Sequence, residues 1–508
     1  MDFIDSKSPR GRLPVEDAKL FRWTVRRQFS LTVMLVAALL PPTAPGQPLS
    51  PHKEIEALVD HYSAQYVQAS KAIWEYAELG YHEEKSSAIL QRDLKGAGFR
   101  VEAGVADEPT AFIATYGHGN PIIGVLGEFD ALPGLSQAAV PDRSPLAAAA
   151  PGHGCGHNLL GAGAALAAVA LKEYMEGNHV AGTLRYYGTP AEEGGDGKVY
   201  MIRAGLFRDV DVVLHWHPGD RNAVINGGAL AITSAKFLFH GIAAHAAFAP
   251  ERGRSALDAV MLMGTGIEFM REHVPSNTRI HYIVSNGGAA PNIVPDTAEL
   301  FLYARSPSLD TLDGIWGRIV KIGQGAAMMT ETTMDVKILG SDTNIIANDA
   351  LAKVAQKNLE EVGGFRYTAE EKHFAEELQK SLPPGGAGDP GSAASIEPLR
   401  PFNPNEPAAS TDVGDVSWNV PTIGFTAATF APGVVPHTWQ ATACAGMSIG
   451  QKGMLVAARA IAVTGADLFS NPQLIQDAKQ DFAHQLAGKT YKSEIPQDRK
   501  PPLDYRQF

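Results

Sequence analysis

Four short apolar runs in this 508-residue chain each stop at residues that a hydrophobic core does not tolerate unpaired. IIGVLG (122–127) runs into Glu128-Phe129-Asp130, and TLRYYGT (183–189) into Glu192-Glu193. VDVVL (210–214) leads into His215-Trp216-His217-Pro218, and VPTIGFTAA (420–428) is followed by His437. Near-continuous apolar strands separated by helical stretches, such as LLGAGAALAAVALKEYM (159–175), specify a mainly parallel α/β sheet covered by helices on both faces. Ligands in such open sheets bind at the carboxyl ends of the strands. The turn GHGCGHN (152–158), just before the helix expected near Leu159, falls at the same rim. Cys155 and His157 flank a single glycine there, so a non-helical turn directs both at one point.

From Ala231 the pattern changes. KFLFHG (236–241), a helix over 255–273, strands at 279–286 and 298–305, a helix near 310–328 and the strand MDVKIL (334–339) give the order βαββαβ. That is the split-βαβ, ferredoxin-like arrangement. A helix over Ala350–Val362, a Pro, Gly and Asn-rich loop at 380–408, the strand at 420–428 and a helix over 447–469 then return to the first pattern. Another helix is expected between Ile73 and Lys95. The organisation expected is one domain in two parts, 47–230 and 342–490, interrupted by a smaller α+β domain at 231–341.

Composition narrows the partners. The 43 Lys plus Arg against 55 Asp plus Glu leave a net charge of −12, which argues against a broad phosphate-binding surface and so against nucleic acid. An anionic ligand must then meet a local Arg or Lys. Two cysteines, Cys155 and Cys444, rule out a disulfide framework, and Cys444 between two alanines reads as a small core hydrophobe. At the amino terminus, Phe29–Leu40 is apolar but too short for a bilayer, which needs about 20 residues. With Arg22, Arg26 and Arg27 before it and a small-residue stretch ending near Gly46, residues 1–46 read as a signal peptide of twin-arginine character, hence export, with the cytoplasm as the alternative. No stable membrane span is expected.

Thiolate, imidazole and carboxylate converging on one sheet edge suit borderline divalent ions such as Zn²⁺, Mn²⁺ or Co²⁺ better than Mg²⁺ or Ca²⁺. Two other readings of the same residues remain open. Cys155 activated by His157 would make a cysteine hydrolase, and a noncatalytic exported binding protein would use the site only to capture ligand.

GEFDALPGLSQ (127–137), GHGCGHNLLG (152–161), GTPAEEGGDGK (188–198), LHWHPGD (214–220), GIAAHAA (241–247) and ASTDVGDVSW (409–418) resemble, in order, the aminoacylase/carboxypeptidase family of di-metal peptidases. The likeness spans about 52–490 and is strongest to the branch that cleaves p-aminobenzoyl-glutamate. It implies a zinc-peptidase catalytic domain with a lid and dimerisation domain, and two divalent metal ions per protomer, Mn or Zn. Cys155 would bridge them, with His157, Glu193, His217 and His437 completing the shells; His215 competes with His217, and the His-Pro step favours His217. Glu192 would be the general base, His245 would reach into the site of a partner protomer, and Asn292 and Arg305 would hold substrate. The implied substrate is a small N-acyl amino acid, p-aminobenzoyl-glutamate of folate breakdown first, with other N-acyl or indole-acetyl amino acids and dipeptides as alternatives. The implied assembly is a homodimer, or a heteromer with a related chain of the same family.

Overall fold

The computed structural model describes residues 49–403, 405–406 and 409–506. The leader expected at 1–46 lies outside them. Eleven strands form two sheets among the described residues. The first seven elements of β structure are β1 (Arg100–Ala103), β2 (Phe112–His118), β3 (Ile122–Glu128), β4 (Gly182–Thr189), β5 (Val212–Gly219), β6 (Ala223–Ile225) and β7 (Ala231–His240). Then follow β8 (Arg279–Asn286), β9 (Thr297–Ser306), β10 (Thr333–Asp342) and β11 (Thr422–Ala428).

The larger sheet has the order β1-β2-β4-β3-β5-β11-β6. Its centre is parallel, with β4 on β3, β3 on β5 and β5 on β11, while β1, β2 and β6 run antiparallel at the edges. Parallel central strands need cover on both faces, and their alternation supplies it. Val125, Val212 and Leu214 enter a core beneath helices Pro51–Tyr76, His157–Gly177 and Ser448–Ser470, whereas Leu126 and Val213 enter a second core with Met201, Phe207 and Val416. Each fully buried side chain of this kind stabilises the fold by about 1.5–3 kcal/mol. Ser448–Ser470, a described helix long and apolar enough to cross a bilayer, is mostly buried in the first core.

The smaller sheet, β10-β7-β9-β8, is wholly antiparallel and carries helices Ala256–Arg271 and Leu309–Thr330 over a core that includes Phe237, Phe239 and Trp316. The βαββαβ order is as expected. Where the sequence suggested one helix over 73–95, the structure has two, Pro51–Tyr76 and Glu84–Gly96. Ala77 ends the first in the left-handed region, and the amphipathic stretch before Ile73 packs on the core through Ile55, Val59 and Tyr66. The strands β1 and β2 were not foreseen, because they are short, mixed in character and paired at the sheet edge.

Candidate metal centre and active site

Because β3, β4, β5 and β11 are parallel, the segments that follow them emerge at one rim. The turn before the helix His157–Gly177 joins them. Gly156 has φ 76°, a conformation that glycine adopts without penalty, and it turns the chain between Cys155 and His157. His437 is tied to the same turn by its backbone N–H, which donates to the Gly154 carbonyl at 2.8 Å.

Among the described residues, ligand-type atoms gather here in three overlapping groups, each with all atoms within 4.8 Å of one another. Cys155, His157 and His217 form one, Cys155, Glu193 and His437 a second, and Glu128, His157 and Glu192 a third. The first two share the Cys155 sulfur. Cys155 Sγ lies 3.3 Å from His217 Nε2, and His437 Nε2 lies 3.2 Å from Glu193 Oε1.

The hydrogen bonds behind these atoms fix which lone pairs face the centre. His157 Nδ1 is 2.8 Å from Asp130 Oδ1, and His217 Nδ1 is 2.8 Å from the Pro218 carbonyl oxygen. Donation from Nδ1 in both rings leaves Nε2 as an acceptor, the arrangement in which a histidine holds a metal. His157 Nε2, Glu193 Oε1 and Glu128 Oε2 are buried and make no hydrogen bond. Buried donor atoms left unsatisfied around one point, with thiol, imidazole and carboxylate represented, fit a divalent cation of the Zn²⁺ or Mn²⁺ type.

Electrostatics point the same way. Burial pushes the Cys155 thiol up, and the Glu193 charge pushes it further, so a thiolate here needs a cation beside it. Burial works against the His157 imidazolium, but Cys155 and Asp130 outweigh it and hold its pKa well above the ordinary value. Burial lowers His217, with His157 adding to the effect. Glu192 is pushed well above the usual carboxylate range by burial and then by Glu128 and Glu193. Glu128 itself is held low despite burial, first by Lys198 and then by His157.

Lys198 is a residue that sequence reasoning passed over. It is wholly buried, with Nζ 2.7 Å from Glu128 Oε1 and 2.6 Å from Asp412 Oδ1, and its backbone N–H donates to Asp412 Oδ2 at 2.9 Å. Asp130, singled out in the sequence only as part of a polar cluster, has a role there: its second oxygen accepts the Glu193 N–H at 2.9 Å, so one carboxylate orients two members of the cluster. Both had a signal, a lysine in the glycine-rich GGDGK stretch and an acid two residues beyond Glu128 at the strand end.

His215 is buried but joins none of the three groups, its Nε2 lying over Gly424 of β11, where a Cβ would come within 2.2 Å. Burial lowers its pKa to about 4. His153 points elsewhere too, with Nε2 2.9 Å from the Ile73 carbonyl. Cys444 is buried in the core as expected.

The remaining expected residues sit on the smaller sheet or in its loops, Arg305 on β9, His245 after β7 and Asn292 between β8 and β9. His245 is exposed, accepts at Nδ1 from the Ala247 and Phe248 N–H groups at 3.2 and 3.1 Å, and bridges to Ile293. Asn292, also exposed, accepts the Ala246 N–H at its carbonyl at 3.0 Å. Arg305 is half-buried on β9, its guanidinium 5.7 Å from the Tyr303 ring centre and its Nε without an acceptor. None of the three hydrogen-bonds to the rim cluster among the described residues.

The match to known proteins agrees with this architecture. Residues 124–383 match the model of peptidase family M20/M25/M40. The chain is 38% identical over 473 residues to the B-type chain of p-aminobenzoyl-glutamate hydrolase of Escherichia coli (strain K12), covering 89% of this chain and 98% of that protein. It is 30% identical over 444 residues to the mouse Xaa-Arg dipeptidase, covering 84% and 91%. A solved dinuclear metal-binding peptidase of the M20 family from Bacillus subtilis shares the fold, with a TM-score of 0.52, 15% identity and coverage of 80% of this chain and 99% of that one. The chain belongs to peptidase family M20/M25/M40. It is an enzyme of the amide-bond-hydrolysing class, with a mainly parallel α/β sheet and a smaller antiparallel sheet covered by helices.

Proposed function

We propose that this protein is a metal-dependent amidohydrolase that cleaves the amide bond of an N-acyl amino acid, p-aminobenzoyl-glutamate to p-aminobenzoate and glutamate first among them. The observation that supports it most is the pair of ligand groups sharing the Cys155 sulfur. Cys155, His157, His217, Glu193 and His437 would hold two divalent ions, Mn²⁺ or Zn²⁺. When bound, such a pair of cations supplies Lewis acidity toward the scissile carbonyl and acidifies the attacking water.

The chain's own groups do the rest. Glu192, whose pKa burial and neighbouring acids raise, takes the proton of the attacking water and delivers it to the departing nitrogen, a role worth typically 10²–10⁴-fold in rate. Asp130 keeps His157 and the Glu193 backbone in register, and Lys198 keeps Glu128 ionised beside them. On the lid, His245 stabilises the oxyanion, supplied from a partner protomer, while Asn292 and Arg305 hold substrate. Arg305 offers the planar fork that suits a free carboxylate.

The Escherichia coli hydrolase also has an A-type chain, to which this chain is 30% identical over 249 residues, and this supports a heteromer of two related chains alongside a homodimer. The leader at 1–46 supports export, and the mass of the mature chain tests it: an uncleaved chain places the protein in the cytoplasm.

A second reading has one observation in its favour. Cys155, His157 and Asp130 stand in the order of a cysteine nucleophile, a base and its orienting acid. Chelation separates the two: metal removal should abolish turnover and Mn²⁺ or Zn²⁺ restore it, whereas a thiol nucleophile would survive. The same reconstituted protein, assayed on p-aminobenzoyl-glutamate, acetyl and indole-acetyl amino acids and dipeptides, tests the substrate, and absence of p-aminobenzoate release sinks that assignment.

A further inference from the structure

The loop Ala191–Asp196 carries both Glu192 and Glu193 and is bent hard: Ala191, Gly194 and Asp196 have φ of 55°, 93° and 55°. Two of these are not glycine. Such a conformation costs on the order of 1–3 kcal/mol per strained residue and persists only where the surroundings over-determine it. Three of its restraints come from the turn between the first two helices and from the segment just past β3. Glu83 Oε1 accepts the Ala191 N–H at 2.9 Å, Asp130 Oδ2 accepts the Glu193 N–H at 2.9 Å, and the Tyr81 hydroxyl donates to the Gly195 carbonyl at 2.7 Å.

The Glu193 carbonyl is held from elsewhere. Its donors among the described residues are the Tyr505 hydroxyl, at 3.3 Å, and Arg506 Nη2, both from the far end of the chain. This tail is anchored before it arrives. Ile495 is buried against Val199 and Tyr200 of the helix that follows the loop, Arg203 of that helix donates to the Ile495 and Pro496 carbonyls, and Arg499 donates to the Ile338 carbonyl of β10. Pro496, Pro501 and Pro502 limit the freedom the tail loses on docking. At its tip the Tyr505 ring meets Tyr81 edge-on with centroids 5.9 Å apart, and Arg506 lies 5.1 Å from the Tyr505 ring centre. Tyr505 thus touches the tyrosine that already fixes Gly195.

We infer that residues 495–506 form a strap whose Tyr505 and Arg506 are positioning residues for the Glu192–Glu193 loop. They act on the proposed metal centre through the Glu193 backbone, not by touching substrate. The inference rests on the proposed reading of Glu193 as a ligand. Groups that orient a ligand from behind typically govern 10–100-fold of metal affinity.

The test is Mn²⁺ binding by isothermal titration to the metal-stripped full-length chain, with kcat and KM measured on the reloaded protein. Wild type is compared with Tyr505→Phe, Arg506→Lys and the double variant Tyr505→Phe/Arg506→Met. The double variant should bind Mn²⁺ about 10-fold or more weakly, and its turnover should recover as Mn²⁺ is raised, with KM for substrate little changed. Arg506→Lys, which keeps a cationic donor, should recover most of the affinity. Thermal melting accompanies each variant, and if the double variant does not fold, Tyr505→Phe alone, which removes one hydroxyl, must still weaken Mn²⁺ binding. Wild-type affinity in a folded double variant, or in Tyr505→Phe where the double variant fails to fold, overturns the strap alone. Wild-type protein that binds no Mn²⁺ overturns the metal-centre reading and the strap with it.

Discussion

The rim of the seven-stranded sheet and the tip of the four-stranded sheet carry chemistry-bearing residues in opposite states. At the rim, His157, Asp130, Glu128 and Lys198 are buried, and each is paired with another. At the tip, His245 and Asn292 are exposed, and their hydrogen bonds among the described residues stay within the loops after β7 and between β8 and β9. The rim is organised in advance, because taking those charges out of water is tolerable only when their partners are in place. The tip costs nothing to leave in water, so it can wait for substrate or a partner protomer. This division separates the changes that should damage the fold from those that should damage only turnover.

The widest gap is expected for Glu192→Gln. The amide keeps the shape and loses the base, so kcat should fall by about 10²–10⁴-fold while elemental analysis still finds the wild-type metal content. Retained turnover would move the base elsewhere. His245→Ala, at the tip, should also lower kcat but leave the melting temperature where it was; a lowered melting temperature would show that the tip is part of the folded framework.

Lys198→Met goes to the rim's support. Removing the cation strands Glu128 and Asp412 without their shared partner, and breaking a buried pair in this way costs about 3–5 kcal/mol. Denaturant unfolding of the metal-free chain should show it. A loss below about 1 kcal/mol would mean that the two carboxylates reorganise or take up protons readily.

The region between the two sheets gives a pH test. Asp415 Oδ2 accepts the Thr343 N–H just past β10, and Tyr491 donates to Oδ1. Burial pushes this carboxyl up to about 8, against about 3.9 for an unfolded aspartate. The folded state therefore binds the proton more tightly, and the stability it contributes is full below about pH 4 and is lost as pH rises through about 8. Asp415→Asn, which never ionises, should flatten the decline in unfolding free energy from about pH 5 to about pH 9. An unchanged slope assigns the decline to other buried acids.

How much of this was legible in the sequence follows the same division. The parallel strands and the βαββαβ insertion were readable because apolar period and length are local properties. The polar clusters that hold the five ligand candidates stood out because each lies in or after a strand or in a glycine turn, whereas the choice of these five as ligands was what the family resemblance implied. Asp130 and Lys198 were not assigned roles, since their importance lies in what they meet: Glu193 is 63 positions from Asp130 and Asp412 is 214 from Lys198. The tail at 495–506 had no sequence signal, its polar and proline-rich composition matching any exposed terminus. The His-Pro step favours His217 over His215 in the sequence; what the sequence does not show is that Gly424 of β11 makes room for the His215 ring, which joins none of the three ligand groups.

Arg305→Ala gives the smallest expected effect and the sharpest test of the tip. The side chain packs over Tyr303 and leaves Nε without an acceptor, so it is held in place yet has unused donor capacity. A carboxylate bound there would gain a charge-assisted pair worth about 1.5–3 kcal/mol, or roughly 10–100-fold in KM. The variant should show that rise with p-aminobenzoyl-glutamate and little change with an analogue whose α-carboxylate is amidated, kcat moving less than KM in both cases. Equal losses on the two substrates would mean that Arg305 supports the lid's shape and that another cation on this acidic protein receives the carboxylate.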